Sequence, residues 1–296
     1  MTFNLSLVAP SLKMPRFNRV VIVGLGLIGG SLGLAIKRRR LAREVVGVSR
    51  KEATLRQARR CHAIDRGTRV LAEAVHGSDL VVIATPVAQI VPIAQRVARM
   101  AAHGTIITDV GSAKSAIVRA LDVTLPPHVH FVGAHPLAGS ERRGMAAAAT
   151  DLFEHSLCVL TPTRRTHRPA VRRVRALWQS LDTRVVLMSP NDHDAAVAAI
   201  SHVPHVLAFA LMQSTPATSL PLASRSFLDA TRVAASDPQL WQEIFLMNRR
   251  PLLTSLQRVE RELRRLRRVL GHGDAPALTR WIRVAQQRRL AWNAFH

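Results

Sequence analysis

A glycine motif that directly follows a run of β-branched residues constrains the fold more than any other feature. Residues 20–23 predict a strand buried on both faces, and Gly24, Gly26 and Gly29 follow with the spacing G-x-G-x-x-G before residues 32–39 continue with helical character. In this order, the first glycine permits a tight turn, the second admits a pyrophosphate, and the third lets helix and strand pack closely. The motif therefore predicts a dinucleotide site, with a glycine loop that binds no ligand as the alternative. The expected cofactor contacts here are Gly24, Gly26, Leu27, Ile28 and Gly29.

Strand and helix patterns alternate through the first two thirds of the chain. Further strands are predicted over residues 44–49, 79–85, 104–109, 130–133 and 184–188. Helices are predicted between them over residues 52–60, 87–101, 115–121 and 170–181. Such alternation implies right-handed crossovers and a parallel sheet with helices on both faces.

The pattern becomes purely helical near residue 189. A helix is expected to begin there with Asn191 or Asp192 as its N-cap, and further helices are expected over 195–212, 238–249 and 252–270. The predicted fold class is therefore α/β, with a Rossmann-type parallel-sheet domain in residues 1–188 and an all-α domain in residues 189–296. A helical domain with such apolar stripes favours a homodimer over an intramolecular bundle.

Composition sets the compartment and the class of partner. The hydrophobic fraction of 48% suits a sizeable core, and Cys61 and Cys158 lie too far apart for a C-x-x-C pair, which favours a reducing cytoplasm. The short apolar run 20–36 contains glycines and is followed by basic residues, so it predicts neither a signal peptide nor a membrane span.

The net charge of +23 invites a nucleic-acid hypothesis. However, the arginines are dispersed along predicted helices and no aromatic residues interleave with them as a stacking platform would need. We therefore expect no nucleic-acid partner. The positive charge indicates either a solvated surface or a field that attracts small anionic substrates.

The end of the second predicted strand bears on the choice of nicotinamide cofactor. An NAD-binding unit usually places Asp or Glu there to bind the ribose 2′-hydroxyl, whereas this chain has Ser49, Arg50 and Lys51. A hydroxyl and a guanidinium would bind a 2′-phosphate, so NADP is predicted, with NAD as the second choice and a surface arginine as the plain alternative. Thr85 and Pro86, at the end of another strand, complete the expected cofactor contacts.

Two clusters follow strand ends, which is where open α/β sheets bind ligands. Residues 109–114 contain Ser112, and residues 133–141 contain His135 between glycines and a proline, which predicts a shaped loop. The pKa range of histidine suits proton transfer near neutral pH, so His135 is a candidate base.

Three features of the helical half could also carry chemistry. The planar guanidinium of Arg232 can bind a carboxylate through two parallel hydrogen bonds. His202 and His205 are three residues apart on one predicted helix face, and His193 lies nearby. No carboxylate or cysteine completes a familiar ligand spacing, so no metal site is predicted.

Together these pieces resemble the prephenate/arogenate dehydrogenase family, over about residues 18 to 265. The matching segments are Val-Gly-Leu-Gly-Leu-Ile-Gly-Gly-Ser, Thr-Asp-Val-Gly-Ser-Ala-Lys, Gly-Ala-His-Pro-Leu-Ala-Gly, Ser-His-Val-Pro-His and Asp-Ala-Thr-Arg-Val-Ala. The resemblance implies oxidative decarboxylation of a cyclohexadienol in tyrosine biosynthesis, with hydride transfer to the nicotinamide.

The resemblance also implies roles for individual residues. His135 would take the proton of the C4 hydroxyl, Ser112 would bond that histidine and the hydroxyl region, and Arg232 would bind a substrate carboxylate. His202, His205 and Glu141 would line the substrate pocket. Members with Gly-Val-Ser-Arg at the second strand end are similar to an NADP-using, arogenate-preferring branch.

The chain departs from the family pattern before Asp229. Residues 223–229 lack the family's glycine-rich turn and place Leu228 where a basic residue is usual, which puts the far wall of the pocket in question. Two other functions stay open: another NADP-dependent reductase of this architecture, and a non-catalytic nucleotide-sensing or basic binding module.

Overall fold

A computed structural model describes residues 16–139 and 142–293 of the chain. These residues divide after Asn248 into two compact units. The domain boundary that the sequence predicts near residue 189 lies inside the first unit, and it stays a prediction.

The strands of the first unit form two sheets. They are β1 (Phe17–Val23), β2 (Ala42–Val48), β3 (Arg66–Thr68), β4 (Leu80–Ile83), β5 (Ile106–Asp109), β6 (His130–Val132), β7 (Ala134–Pro136), β8 (Leu157–Leu160) and β9 (Arg184–Leu187). The larger sheet has six strands, is parallel throughout, and has the order β3-β2-β1-β4-β5-β6. This order confirms the predicted Rossmann-type fold, and it reverses direction at β1, where a ligand crevice is expected.

Helices cover the sheets and form the rest of the first unit. They are α1 (Leu27–Arg38), α2 (Glu52–Arg60), α3 (Leu71–Val75), α4 (Ile90–Ala98), α5 (Ser115–Thr124), α6 (Arg168–Gln179), α7 (Pro190–Val197), α8 (Val203–Ser214), α9 (Arg225–Thr231) and α10 (Pro238–Met247). Two apolar clusters lie on the two faces of the six-stranded sheet, because side chains of a strand alternate between faces: Val20 and Ile22 point to one cluster, Val21 and Val23 to the other.

The smaller sheet was not expected. β7 pairs antiparallel with β8, and β8 pairs parallel with β9, so residues 184–187 extend this second sheet and not the parallel one. His135 pairs with Val159 in the middle of β7. The expectation that His135 lies in a loop was therefore wrong, because β8, which the sequence did not reveal, supplies a strand partner.

The predicted helix over residues 195–212 is part of a longer helical stretch, Pro190–Ser214, that contains a π-helical turn at Ala198–His202. Its N-cap is Ser189, whose Oγ accepts the backbone N–H of Asp192 at 3.1 Å, so Asn191 and Asp192 were the wrong candidates. By length and mean hydropathy (1.7), this stretch could cross a membrane. It buries His193, Asp194 and His202 inside the first unit, however, and one such helix is weak evidence for a span.

The segment that departs from the family pattern forms the start of a helix. Ser224 is the N-cap of α9, its hydroxyl lies 2.8 Å from that of Ser226, and the Arg225 and Asp229 side chains form an ion pair one helical turn apart. Leu228 is exposed on the same helix.

The second unit consists of two helices, α11 (Arg249–Gly271) and α12 (Ala275–Asn293). The indole N–H of Trp281 on α12 donates to Glu262 Oε2 on α11 at 3.0 Å. Both helices expose large apolar side chains, namely Leu253, Leu263, Leu270, Ile282, Val284, Leu290 and Trp292.

The glycine motif is packed as its spacing predicts. Gly24 has a φ of +97°, which side-chain-bearing residues rarely adopt, and a methyl group at Gly29 would overlap the carbonyl oxygen of Gly24. A methyl group at Gly26 would meet no protein atom within 4 Å. Gly29 is therefore required by the packing of α1 on β1, whereas Gly26 faces open space.

This difference predicts different effects on stability. Gly29→Ala should lower the free energy of unfolding by about 3 kcal/mol or more, because the methyl group must displace backbone. Gly26→Ala should leave the unfolding of the ligand-free protein close to wild type. Denaturant titration of both variants tests this, and equal stability of the two would contradict the packing argument.

Candidate active site

One cavity of about 740 Å³ lies at the carboxyl edge of the parallel sheet, within the first unit. Its floor comes from the ends of β4 and β5 and from β7, and its far wall comes from the helical stretch 190–214, the segment 232–237 and α10. The predicted site residues that line it are Leu27, Ile28, Thr85, Pro86, Ser112, His135, His202, His205 and Arg232. His135 and Arg232 therefore share one cleft.

His135 is hydrogen-bonded to a second histidine that the sequence did not single out for catalysis. Its Nδ1 lies 2.8 Å from Nε2 of His193, and Nδ1 of His193 lies 2.9 Å from Oδ1 of Asp194. A carboxylate can only accept, so His193 donates from Nδ1 and accepts at Nε2. His135 must then donate from Nδ1, which leaves its Nε2 as an unprotonated acceptor.

Asp194 is held in place by the first turn of α5. Its Oδ1 accepts the backbone N–H of Lys114 at 2.7 Å, and its Oδ2 accepts that of Ser115 at 2.9 Å. Burial raises the pKa of Asp194, but the hydrogen bonds from His193, Lys114 and Ser115 outweigh that effect and lower it below its usual value. The carboxylate is therefore charged and fixed.

The surroundings keep His135 neutral. Burial is the largest cause that lowers the pKa of His135 well below its usual value, and a protonated His193 or the charge of Lys114 lowers it further. Burial also lowers the pKa of His193, although the hydrogen bond with Asp194 opposes that shift. A neutral imidazole with a free Nε2 is the form that a general base needs.

A buried ion pair fixes β7 to the end of β5. The ammonium of Lys114 bonds to Oδ2 of Asp109, and it donates to the carbonyl of Ala134 at 3.0 Å. Oδ1 of Asp109 accepts the backbone N–H of Ala134 at 3.2 Å, and its Oδ2 accepts that of Gly111 at 2.9 Å. The pair thus positions the loop that carries Ser112 and the strand that carries His135.

The two histidines of the helical wall have different surroundings. Nδ1 of His202 lies 3.1 Å from the amide nitrogen of Asn248, which also donates to the carbonyl of Asp194, and burial lowers the pKa of His202 to about 4. His205 stacks on Trp241 at 3.5 Å between ring centroids and donates from Nδ1 to the carbonyl of Ser201. Burial lowers the pKa of His205, and the nearby Arg232 guanidinium lowers it further.

The remaining predicted cofactor contacts lie beside the cavity and do not line it. Gly24 donates its N–H to the carbonyl of Val48 at 3.0 Å, so the glycine motif adjoins the end of β2, where Ser49, Arg50 and Lys51 follow. Two observations fit a dinucleotide here. Gly26 faces open space, and Oγ1 of Thr85 is buried without a hydrogen-bond partner in the described part of the chain.

Not every expectation can be placed. Glu141 lies outside the described residues. Within residues 16–139 and 142–293, no group of three His, Cys, Asp or Glu side chains could hold a metal ion.

Three residues of the site were not predicted from the sequence, namely Asp194, Trp241 and Asn248, and His193 was considered only as a metal ligand. The adjacent His193 and Asp194 were the available signal for the hydrogen-bonded chain.

The neutral histidines predict a loss of stability in acid. The pKa values of His135, His193 and His202 are lower in the folded protein than the ordinary 6.5. Below pH 6.5 the unfolded protein therefore binds more protons than the folded protein. The free energy of unfolding is highest above pH 6.5 and decreases as the pH falls, for His202 down to about pH 4. Each should contribute a slope of up to about 1.4 kcal/mol per pH unit.

Urea titrations between pH 7 and pH 5 would measure this slope. The His202→Gln variant, whose amide oxygen can still accept from Asn248, should show a shallower slope because it removes one titrating group. A free energy of unfolding that is independent of pH over this range would contradict the neutral assignment.

Comparisons with known proteins place this geometry in context. Residues 32–187 match the family model described as prephenate dehydrogenase, nucleotide-binding domain, and residues 189–284 match the model described as prephenate dehydrogenase, dimerization domain. The chain is 35% identical to a prephenate dehydrogenase of Bacillus subtilis, over 91% of this chain and 75% of that protein.

Solved structures agree with these matches. A prephenate dehydrogenase of Aquifex aeolicus in complex with hydroxyphenyl propionate and NAD+ superposes with a TM-score of 0.87 at 30% identity, over 95% of this chain and 99% of that one. An arogenate dehydrogenase of Synechocystis superposes with a TM-score of 0.81 at 31% identity, over 93% and 99% of the two chains.

Proposed function

This chain belongs to the prephenate dehydrogenase family, and we propose that it catalyses NADP-dependent oxidative decarboxylation of arogenate, prephenate or both, with His135 as the base. The observation that carries the proposal is the shared cleft: His135, Ser112 and Arg232 line one cavity together with Leu27 and Thr85 on the cofactor side. Tyrosine biosynthesis is the process in which such a reaction belongs.

The reaction needs a proton acceptor, a hydride acceptor and groups that bind and orient the substrate. The bound nicotinamide supplies the hydride acceptor. Nε2 of His135 would take the proton of the C4 hydroxyl as the hydride leaves C4. The bond between the ring and its carboxylate would then break to release CO₂, and its electron pair would complete an aromatic ring as a phenolate, which would take the proton back from His135. Aromatisation drives the reaction, and the protein must mainly orient and deprotonate.

The hydrogen-bonded chain behind His135 supports its role as base. When Nε2 takes a proton, the imidazolium can share its Nδ1 proton with His193, whose own Nδ1 proton faces the Asp194 carboxylate. The buried negative charge stabilises the protonated state that forms during the reaction, and the hydrogen bonds fix the tautomer. His193 and Asp194 are positioning residues in this proposal.

The helical wall would hold the substrate. The guanidinium of Arg232 is suited to a bidentate bond with a substrate carboxylate. The stacked rings of His205 and Trp241 would flank the substrate's ring, and His202 would line the same wall. Ser112 would bond the hydroxyl region next to His135. Glu141 is proposed at the pocket rim on the basis of the family resemblance.

The NADP preference rests on Ser49 and Arg50. These residues follow β2 directly and stand where an acidic residue would repel a 2′-phosphate. The Aquifex relative was crystallised with NAD+, so the proposal makes a specific statement about this chain.

We further propose a homodimer in the cytoplasm. The exposed apolar side chains of α11 and α12 are the kind of surface that helical dimer interfaces bury, and residues 189–284 match a dimerization domain. Cys61 and Cys158 are both free, as is usual in a reducing compartment.

The base is tested by His135→Asn, which keeps a polar side chain but cannot accept the proton. Turnover of prephenate and arogenate should fall by a factor of about 100 to 10,000, because general-base catalysis contributes that much. Affinity for NADP+ should stay within twofold of wild type. Steady-state kinetics and fluorescence titration measure the two quantities.

Two further variants sharpen this test. His193→Gln should lower kcat with little change in KM, because it weakens the positioning of His135 without touching the substrate. His272→Asn, at an exposed site, should match wild type. Retention of turnover in His135→Asn would overturn the proposed base. A wild-type protein that binds NADP+ but turns over neither substrate would favour a sensing module.

The cofactor preference is tested by Arg50→Asp. The carboxylate should repel the 2′-phosphate and accept the 2′-hydroxyl, so kcat/KM for NADP+ should fall at least tenfold while that for NAD+ should rise. Arg60→Asp, at an exposed site on α2, makes the same change of charge and serves as the control. An unchanged ratio of the two kcat/KM values in Arg50→Asp would remove Arg50 from cofactor selection.

A further inference from the structure

A second cavity, on the outer side of α6, gathers four arginines. It has a volume of about 770 Å³ and lies between the loop 162–166, α6 and the segment 187–190. We call it the arginine cavity; the arginines that line it are Arg164, Arg168, Arg172 and Arg175. None of its lining residues takes part in the proposed active site.

Within residues 16–139 and 142–293, the four arginines of the arginine cavity form no ion pairs. In the part of the chain that the structure describes, no carboxylate oxygen lies within 4.0 Å of any of the four guanidiniums. Two carboxylates border the cavity through its lining: Asp122 accepts from the Thr163 hydroxyl at 2.8 Å, and Asp192 accepts from the Ser189 hydroxyl at 2.7 Å. Neither forms an ion pair with one of the four arginines.

Three of the four arginines have a helical spacing that places them on one side of α6. Arg168, Arg172 and Arg175 are four and three residues apart on α6, so they share a helix face. Like charges in this arrangement repel each other, which destabilises the helix in the absence of a counter-charge. The Nε of Arg175 is also buried without a hydrogen-bond partner, which is an arrangement that a bound acceptor would relieve.

The chemistry of the lining selects the ligand. Guanidinium forks match phosphate oxygens in pairs, and a cavity of this volume is the size of small-molecule sites in proteins. The lining contains no aromatic side chain on which a nucleobase could stack, which disfavours a single-stranded nucleic acid. Three or four guanidiniums on one face suit an anion with several phosphate groups in a row.

We propose that the arginine cavity binds a small polyphosphate-bearing anion, at a site separate from the dinucleotide site. Inorganic tripolyphosphate is the probe for this chemistry. Because the glycine motif and Arg50 also attract phosphates, the titration must be made with NADP+ at saturating concentration, so that only additional binding is measured.

The test compares two double variants by isothermal titration calorimetry of the full chain. Arg168→Gln with Arg172→Gln removes two exposed guanidiniums from the cavity. Arg56→Gln with Arg60→Gln removes two exposed arginines with the same spacing from α2 and makes the same change of net charge. Tripolyphosphate affinity should fall at least tenfold in the first variant and stay within twofold in the second.

A thermal unfolding experiment provides a second readout. Tripolyphosphate should raise the melting temperature of the wild type but not that of the Arg168/Arg172 variant, which without ligand should be at least as stable as wild type because repulsion is removed. Absence of tripolyphosphate binding, equal weakening in both variants, or binding of duplex DNA without binding of tripolyphosphate would each overturn the proposal. So would a shift of oligomeric state in the Arg168/Arg172 variant alone, because a second copy would then cover the cavity.

Discussion

The carboxylate of Asp194 joins the two walls of the active-site cavity. It accepts two backbone N–H groups from the start of α5, on the sheet side, and it bonds to His193 at the start of the helical wall. Because the N-terminus of a helix favours negative charge, the carboxylate stays ionised although it is buried. One ionised group therefore sets both the distance between the walls and the tautomers of His193 and His135.

Local signals explain which parts of the fold could be predicted. The strand at residues 20–23, the glycine motif and the helix at 52–60 are visible because hydrophobic period, turn chemistry and helix character coincide within a short window. β7 and β8 have three and four residues, and each depends on a partner more than twenty residues away. Nothing local to His135 distinguishes a loop flanked by glycine and proline from a short paired strand.

The same distinction holds in the active-site cavity. His135, Ser112 and Arg232 could be named because each sits in a motif at a strand end or in a recognisable segment, and the cleft brings them together. His193 could not be assigned its position, since its bond to His135 spans 58 residues and depends on how two imidazoles face each other. The arginine cavity was equally hidden, because residues 168, 172 and 175 match a solvated helix face, and the sequence does not show that the loop 162–166 and the segment 187–190 border them.

The immediate surroundings of His135 favour the base that we propose. A buried histidine that is bonded directly to a carboxylate gains a proton readily, and a protonated imidazole cannot accept another. Here burial is the largest cause that lowers the pKa of His135, and the buried Lys114 lowers it further, while Asp194 is one imidazole further away and acts mainly on His193. In the mechanism that we propose, the resting state is neutral, and the counter-charge stabilises chiefly the protonated state that would form when the substrate's hydroxyl gives up its proton. In this proposal, the order of the three groups, with the cation near His135 and the anion behind His193, prepares a buried histidine to accept a proton at neutral pH.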